Sequence, residues 1–216
     1  MPTVKQIVCL ANSDMDGGRC VAGKELVGDA LGRWIRLVGE GASKAVPVKK
    51  DIKLLDVIDV SLVKSVPHLH QRENWLLDSC RFPLAKHHRW RKLEQLLDPA
   101  KPLWIGEHGA SNTINDRIPS SRIRGTESSL RFILVDELTL HAPQGKLRGC
   151  FRHEGIGYDL VVTDPSHKQR YARMNPGKTQ LEGRSFLTVS LAGDSFHGAY
   201  YRIIAAILPR GGKAAT

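Results

Sequence analysis

The apolar residues of this chain recur mainly at every second position, in short runs closed by glycine, proline or aspartate. Between Leu54 and Val63, Ile58, Val60 and Leu62 fall on one face and Asp59 and Ser61 on the other, the pattern of a half-buried strand. Leu130 to Leu140 alternates in the same way. Lys146–His153 and Tyr158–Thr163 flank Glu154-Gly155-Ile156-Gly157, a hairpin signal, and Phe186–Leu191 and Ala199–Leu208 form a last pair around Gly193-Asp194-Ser195. Val4 to Ala11 is nearly continuous apolar sequence, as in a buried strand. Gly32 to Val38 alternates Arg33, Ile35 and Leu37 against Trp34, Arg36 and Val38. Strands do not alternate regularly with helices, which argues against a doubly wound sheet. Many short strands with glycine at the corners point to small barrels or a sandwich.

Helical spacing enters in two places. Arg19 to Leu31 is expected to form a short helix interrupted by Gly23 and Gly28. Trp90, Leu93, Leu96 and Leu97 predict a helical segment over 84–97, ended by Asp98-Pro99. Residues 39–51, Gly106–Arg124 and the basic stretch from Ser166 to about Gly183 read as loops. The tail from Arg210 is expected to fray. The halves share a coarse plan without a strict repeat. The expected organisation is mainly β (α+β): an N-terminal domain over 1–110 that includes the helical segment, and a C-terminal domain over 111–216.

Charge bears most on the partner. The chain holds 32 Lys+Arg against 22 Asp+Glu, a formal net charge of +10 and a pI near 9.7. The excess belongs to both halves and is spread among the strand-like runs, so a folded surface and not a basic tail would attract a polyanion. No apolar run approaches the roughly 18 residues a membrane helix needs, and the first residues lack the layout of a signal peptide. Cys9, Cys20, Cys80 and Cys150 are far apart and form no CxxC pair. They are expected to be reduced thiols in a cytoplasmic protein, with no metal and no cofactor.

Four segments could bind a nucleic acid. On one strand face Trp34 and Arg36, with Arg33 adjacent, could offer a base-stacking platform, or plug a barrel end through a buried Trp and an ion pair. Asp14 to Lys24 puts Gly17-Gly18 before the expected helix, whose N-terminal amides could face an anion with Arg19 and Lys24 nearby, though Asp14 and Asp16 oppose a phosphate there and a plain capped turn is the alternative. Arg81 to Lys92 is rich in cations and has no acid; Lys86, Arg89 and Arg91 could track a phosphate backbone, with Trp90 stacking or packing inward. Ser166 to Leu181 offers Lys168, Arg170, Arg173 and Lys178 with Tyr171 interleaved, as in a binding loop or a plain surface loop. Enzyme signatures are weaker. Gly193-Asp194-Ser195-Phe196-His197 lacks the GxSxG elbow and falls between two strands. His87-His88 with Glu94 or Asp98 lacks the clustered carboxylates of a two-metal nuclease.

Two stretches carry a family resemblance. The first is Val8-Cys-Leu-Ala-Asn-Ser13 with Gly18-Arg-Cys-Val-Ala-Gly-Lys-Glu25 and Gly32-Arg-Trp-Ile-Arg36. The second is Leu160-Val-Val-Thr-Asp-Pro165 with Leu187-Thr-Val-Ser-Leu191 and Tyr200-Tyr-Arg-Ile-Ile-Ala-Ala-Ile207. Together they resemble the dual OB domain family of prokaryotic proteins, collinearly over nearly the whole chain. The resemblance implies two tandem OB-like small β-barrels and a role in nucleic-acid recognition, often beside effector modules in defence-type systems, with the effector here a separate protein. It supplies no catalytic residues. The expected function is therefore non-catalytic nucleic-acid binding, to single-stranded or structured DNA or RNA. The rivals are an interaction adaptor or sensor subunit of a defence-type system, and a metal-dependent nuclease or hydrolase.

Overall fold

Strand β1 (Thr3–Met15) is long enough to pair twice. Its first half runs antiparallel to β4 (Asp56–Ser65), from Thr3 opposite Leu62 to Val8 opposite Val57. Its second half runs antiparallel to β2 (Gly18–Val27), from Ile7 opposite Glu25 to Met15 opposite Gly18, with a bulge between Cys9 and Ala11. A bulge bends a strand and raises its twist, which lets one strand serve two partners. The computed structural model describes residues 1–15, 18–28, 30–40, 46, 52–79, 81–104, 115–123, 128–173 and 177–210. The chain divides into two units, Met1–Leu96 and Leu97–Thr216.

In the first unit β3 (Ala30–Val38) lies antiparallel to β2, and β5 (Asn74–Leu77) lies parallel to β3 and antiparallel to β4. The pairings thus run β1-β2-β3-β5-β4 and return to β1. A short strand β6 (Leu84–His87) adds to β4. Alternate residues of these strands, among them Ile7, Cys9, Val21, Ile35, Leu37, Ile58, Val60 and Leu62, build the core of the unit.

Two expected helices are corrected here. Arg19 to Leu31 is strand β2 with the start of β3, because β2 is paired on both sides. Gly23 is needed for a close crossing: a Cβ there would lie 2.1 Å from the Val8 carbonyl oxygen. The segment 84–97 is strand β6 followed by a 3₁₀ helix over Trp90–Leu96. Trp90, Leu93 and Leu96 are three residues apart, which is the repeat of a 3₁₀ turn; Leu93 and Leu96 are both fully buried.

The second unit contains β7 (Arg117–Pro119), β8 (Leu130–Val135), β9 (Leu138–His141), β10 (Arg148–His153), β11 (Ile156–Val162), α1 (Pro165–Ala172), β12 (Thr179–Leu181), β13 (Ser185–Leu191) and β14 (Ala199–Pro209). Its sheet runs β12-β9-β10-β11-β14-β13-β8, with β7 also on β14. The pair β11–β14 is parallel, as β3–β5 is in the first unit. Strands β8 and β9 are consecutive, separated by the exposed Asp136-Glu137, and together take the part that β1 plays alone. The run Leu130–Leu140 is therefore two strands. At the β10–β11 hairpin Glu154 (φ 50°) and Gly155 (φ 75°) both adopt left-handed backbone, the geometry of a type I′ turn.

The basic stretch after Asp164 is also corrected, from loop to helix. The Asp164 carboxylate accepts from the Ser166 and His167 amides at 2.9 and 3.1 Å, and Pro165 stands in the first turn. The other carboxylate oxygen accepts from the Ile207 amide at 2.9 Å, fastening α1 to β14. Within the segment expected to be a loop over Gly106–Arg124, the described residues contain β7 and a 3₁₀ turn over Ser120–Arg122. Most of 39–51, and the tail beyond Arg210, lie outside the described residues. Among the described residues no helix is long and apolar enough to cross a membrane.

Candidate functional site

Strand β3 does not present the expected Trp34–Arg36 platform. Both faces of the strand are covered: Ile35 and Leu37 enter the core, and Trp34 and Arg36 are each 6% exposed. The Lys24 ammonium, on the cross-strand partner of Trp34, sits 5.5 Å from the Trp34 ring centroid. It also donates to the Leu96 carbonyl at 2.7 Å, tying the Trp90–Leu96 helix to the same face. Arg36 pairs with the buried Glu73 at 3.2 Å. These are the partners a buried cation requires, and they withdraw Lys24, Trp34 and Arg36 from any exposed stacking surface. Arg33 remains exposed.

The anion site expected before a helix at Arg19 has no helix behind it. Arg19 lies in β2, pairs with Asp14 at 2.8 Å, and exchanges backbone hydrogen bonds with Val46 at 3.1 and 2.9 Å. Gly17 lies outside the described residues.

The segment Arg81–Lys92 keeps its cations on the surface. Lys86, Arg89 and Arg91 are exposed, and Trp90 is half-buried. His87 pairs with Asp56 at 2.8 Å, while burial, then Lys92 and Lys86, push the His88 pKa down. Asp98, in the second unit, accepts from the Phe132 amide through its carboxylate at 2.7 Å. On α1 and beyond it Lys168, Arg170, Arg173 and Lys178 are exposed. Tyr171 points inward, belongs to the core of the second unit and donates its hydroxyl to the Gly177 carbonyl. It is not available for stacking.

An exposed aromatic group lies elsewhere, on the β13–β14 connection. Phe196 and Ala199 exchange backbone hydrogen bonds at 2.8 and 3.2 Å, and His197 (φ 50°) and Gly198 (φ 72°) complete a tight primed turn. Phe196 is 63% exposed, its ring edge-on to His197 at 4.1 Å and tilted against Tyr201 at 6.4 Å. Arg117, exposed on β7, donates to the Tyr201 hydroxyl at 3.5 Å. Sequence reasoning met Phe196 and His197 only while testing a nucleophile elbow. The signal it passed over was an aromatic placed within a strand-to-strand turn. Separately, three ligand atoms of His141, Cys150 and Asp159 lie within 4.8 Å of one another, the one such trio among the described residues.

The strand pairings and the exposed groups can be set beside known families. The family model described as a dual OB-containing domain matches residues 5–207. The chain belongs to this family. No curated protein matches it. Among solved structures it is similar to the one titled crystal structure of the tetrameric p202 HIN2, at 9% identity and a TM-score of 0.31, over 95% of this chain and 88% of that one. In the second unit α1 stands between β11 and β12, and the connection between β13 and β14 carries Phe196.

Proposed function

We propose that this dual OB chain is a non-catalytic nucleic-acid-binding protein and that each pairing circuit forms an OB-like barrel. The observation that carries the reading is Phe196, held exposed on a two-residue turn beside His197, Tyr201 and Arg117. A rigid exposed ring stacks on a base at little entropic cost, and the adjacent guanidinium supplies a phosphate contact. OB-folds use the connection between strands four and five for oligonucleotides. The exposed cations Lys86, Arg89 and Arg91 in the first unit, and Lys168, Arg170, Arg173 and Lys178 in the second, support a largely electrostatic affinity.

The test is a fluorescence-anisotropy titration with labelled single- and double-stranded DNA and RNA at two salt concentrations, after co-purified nucleic acid has been removed. Binding that weakens steeply with salt and favours one of the four is expected. Absence of binding at low salt would reject the reading and leave an acidic protein as the partner of the +10 surface.

A further inference from the structure

The meander β9-β10-β11 has two faces of different character. One carries Leu138, Leu140, Phe151, Tyr158 and Leu160 into the core. The other carries His141, Cys150 and Asp159, nine residues apart in sequence. Cys150 is paired directly with Asp159 across β10–β11, and His141 with Arg148 across β9–β10. The Cys150 Sγ lies 3.3 Å from His141 Nε2, which lies 3.0 Å from Asp159 Oδ1. All three side chains are half-buried.

We infer that His141, Cys150 and Asp159 bind a zinc ion. Ligands at about 2.0–2.3 Å from a tetrahedral Zn²⁺ stand roughly 3.3–3.7 Å from one another. The trio is within a few tenths of an ångström of that spacing for its two closest pairs and needs only side-chain adjustment. A thiolate and a carboxylate neutralise the two charges of the ion, and the imidazole adds none. One soft sulfur, one imidazole and one carboxylate suit Zn²⁺ and not the oxygen shell of Mg²⁺ or Ca²⁺. Arg148 donates to Asp159 Oδ1, the same oxygen that faces His141, and to Asp116, both at 3.1 Å, and so fixes the orientation of that carboxylate as outer-shell groups do around metal ligands. Three protein ligands leave a fourth position for water. A hydrolytic Cys–His–Asp relay fits less well, because both Cys150 and Asp159 approach the same ring nitrogen, whereas a relay uses one nitrogen for each. The trio leaves no short ligand motif in the sequence because each ligand comes from a different strand of the meander.

The test uses the full chain stripped with a chelator. Titration with Zn²⁺ by calorimetry is expected to give one ion per chain. Co²⁺ in its place should give a thiolate-to-metal charge-transfer band and tetrahedral visible bands. Cys150→Ser should abolish the charge-transfer band, Asp159→Asn and His141→Gln should each weaken Zn²⁺ binding by no less than the ~10-fold that loss of an outer-shell partner costs, and Cys20→Ser should leave it unchanged. In the wild type, Zn²⁺ should slow alkylation of Cys150, read by peptide mass, which keeps the test independent of whether a variant folds. Failure of the wild type to bind Zn²⁺, a charge-transfer band that survives Cys150→Ser, or unaltered alkylation of Cys150 would each overturn the site.

Discussion

The Arg202 guanidinium, 2% exposed on β14, donates to the Trp104 carbonyl at 2.8 Å. It also donates to the carbonyls of Leu103, Asn115 and Arg117 at 3.0, 3.0 and 3.1 Å, and lies 5.9 Å from the Tyr158 ring centroid. One buried cation thus fastens the chain on both sides of residues 105–114 using carbonyl dipoles, and burial lowers its pKa to about 10. Arg202→Met would fill part of the space but strand four carbonyls. The expected loss is ~3–5 kcal/mol for the second unit, read as a lower urea midpoint. A change below ~1 kcal/mol would mean water satisfies those carbonyls.

Phe196→Ala removes a surface ring without opening a core. It should weaken oligonucleotide binding by ~1–3 kcal/mol and leave the salt dependence alone, since stacking carries no counterion term. Anisotropy titration across a salt series separates the two quantities; an unchanged affinity would remove Phe196 from the interface.

Arg89→Ala with Arg91→Ala should behave in the opposite way. Two lost phosphate contacts lower the slope of log affinity against log salt by about 1.4 for a single strand. An unchanged slope would place the bound strand away from the Arg81–Lys92 segment.

Trp34→Ala should act through folding. Its ring is buried under Lys24, and truncation of a buried Trp costs ~3–5 kcal/mol. Thermal or urea unfolding should record that loss. A stable variant with weakened binding would restore Trp34 to the interface.

Cys9 gives a pH dependence. Burial, with Asp56 adding to it, pushes its thiol up to about 12, while an unfolded cysteine ionises near ~8.5. The native state then holds a proton that the unfolded chain has released. Stability from this group is complete below about pH 8.5 and declines as pH rises toward 12. Relative to Cys9→Ala, the wild type should lose about 2 kcal/mol more between pH 7 and pH 10, measured as urea midpoints at each pH. Parallel losses in the two proteins would show that Cys9 ionises in the native state.

The strands were readable because burial on a sheet imposes a period of two: Ile58, Val60 and Leu62 fill the first core, and Leu187 and Val189 the second. In sequence the helix α1 reads as a loop: Asp164 followed by Pro165 is a cap and a first helical position, but the polar, basic sequence behind it masks that signal. The alternation around Trp34 told which residues share a face and left open whether that face meets water. Only Lys24, Glu73 and Leu96, brought in from distant positions, decided that it does not.

The sequence by itself determined what depends on neighbours along the chain: a mainly β protein, those strands whose alternation is regular, its excess of positive charge and, through collinear motifs, its dual OB family. The tertiary structure decided what depends on residues far apart in sequence. The parallel pairs β3–β5 and β11–β14, the burial of Trp34 and Arg36, the four-carbonyl seat of Arg202 and the His141–Cys150–Asp159 cluster all join separate strands. Local periodicity reports the face of a residue, whereas the partner across that face is set by strand register, which is settled only when the whole sheet pairs.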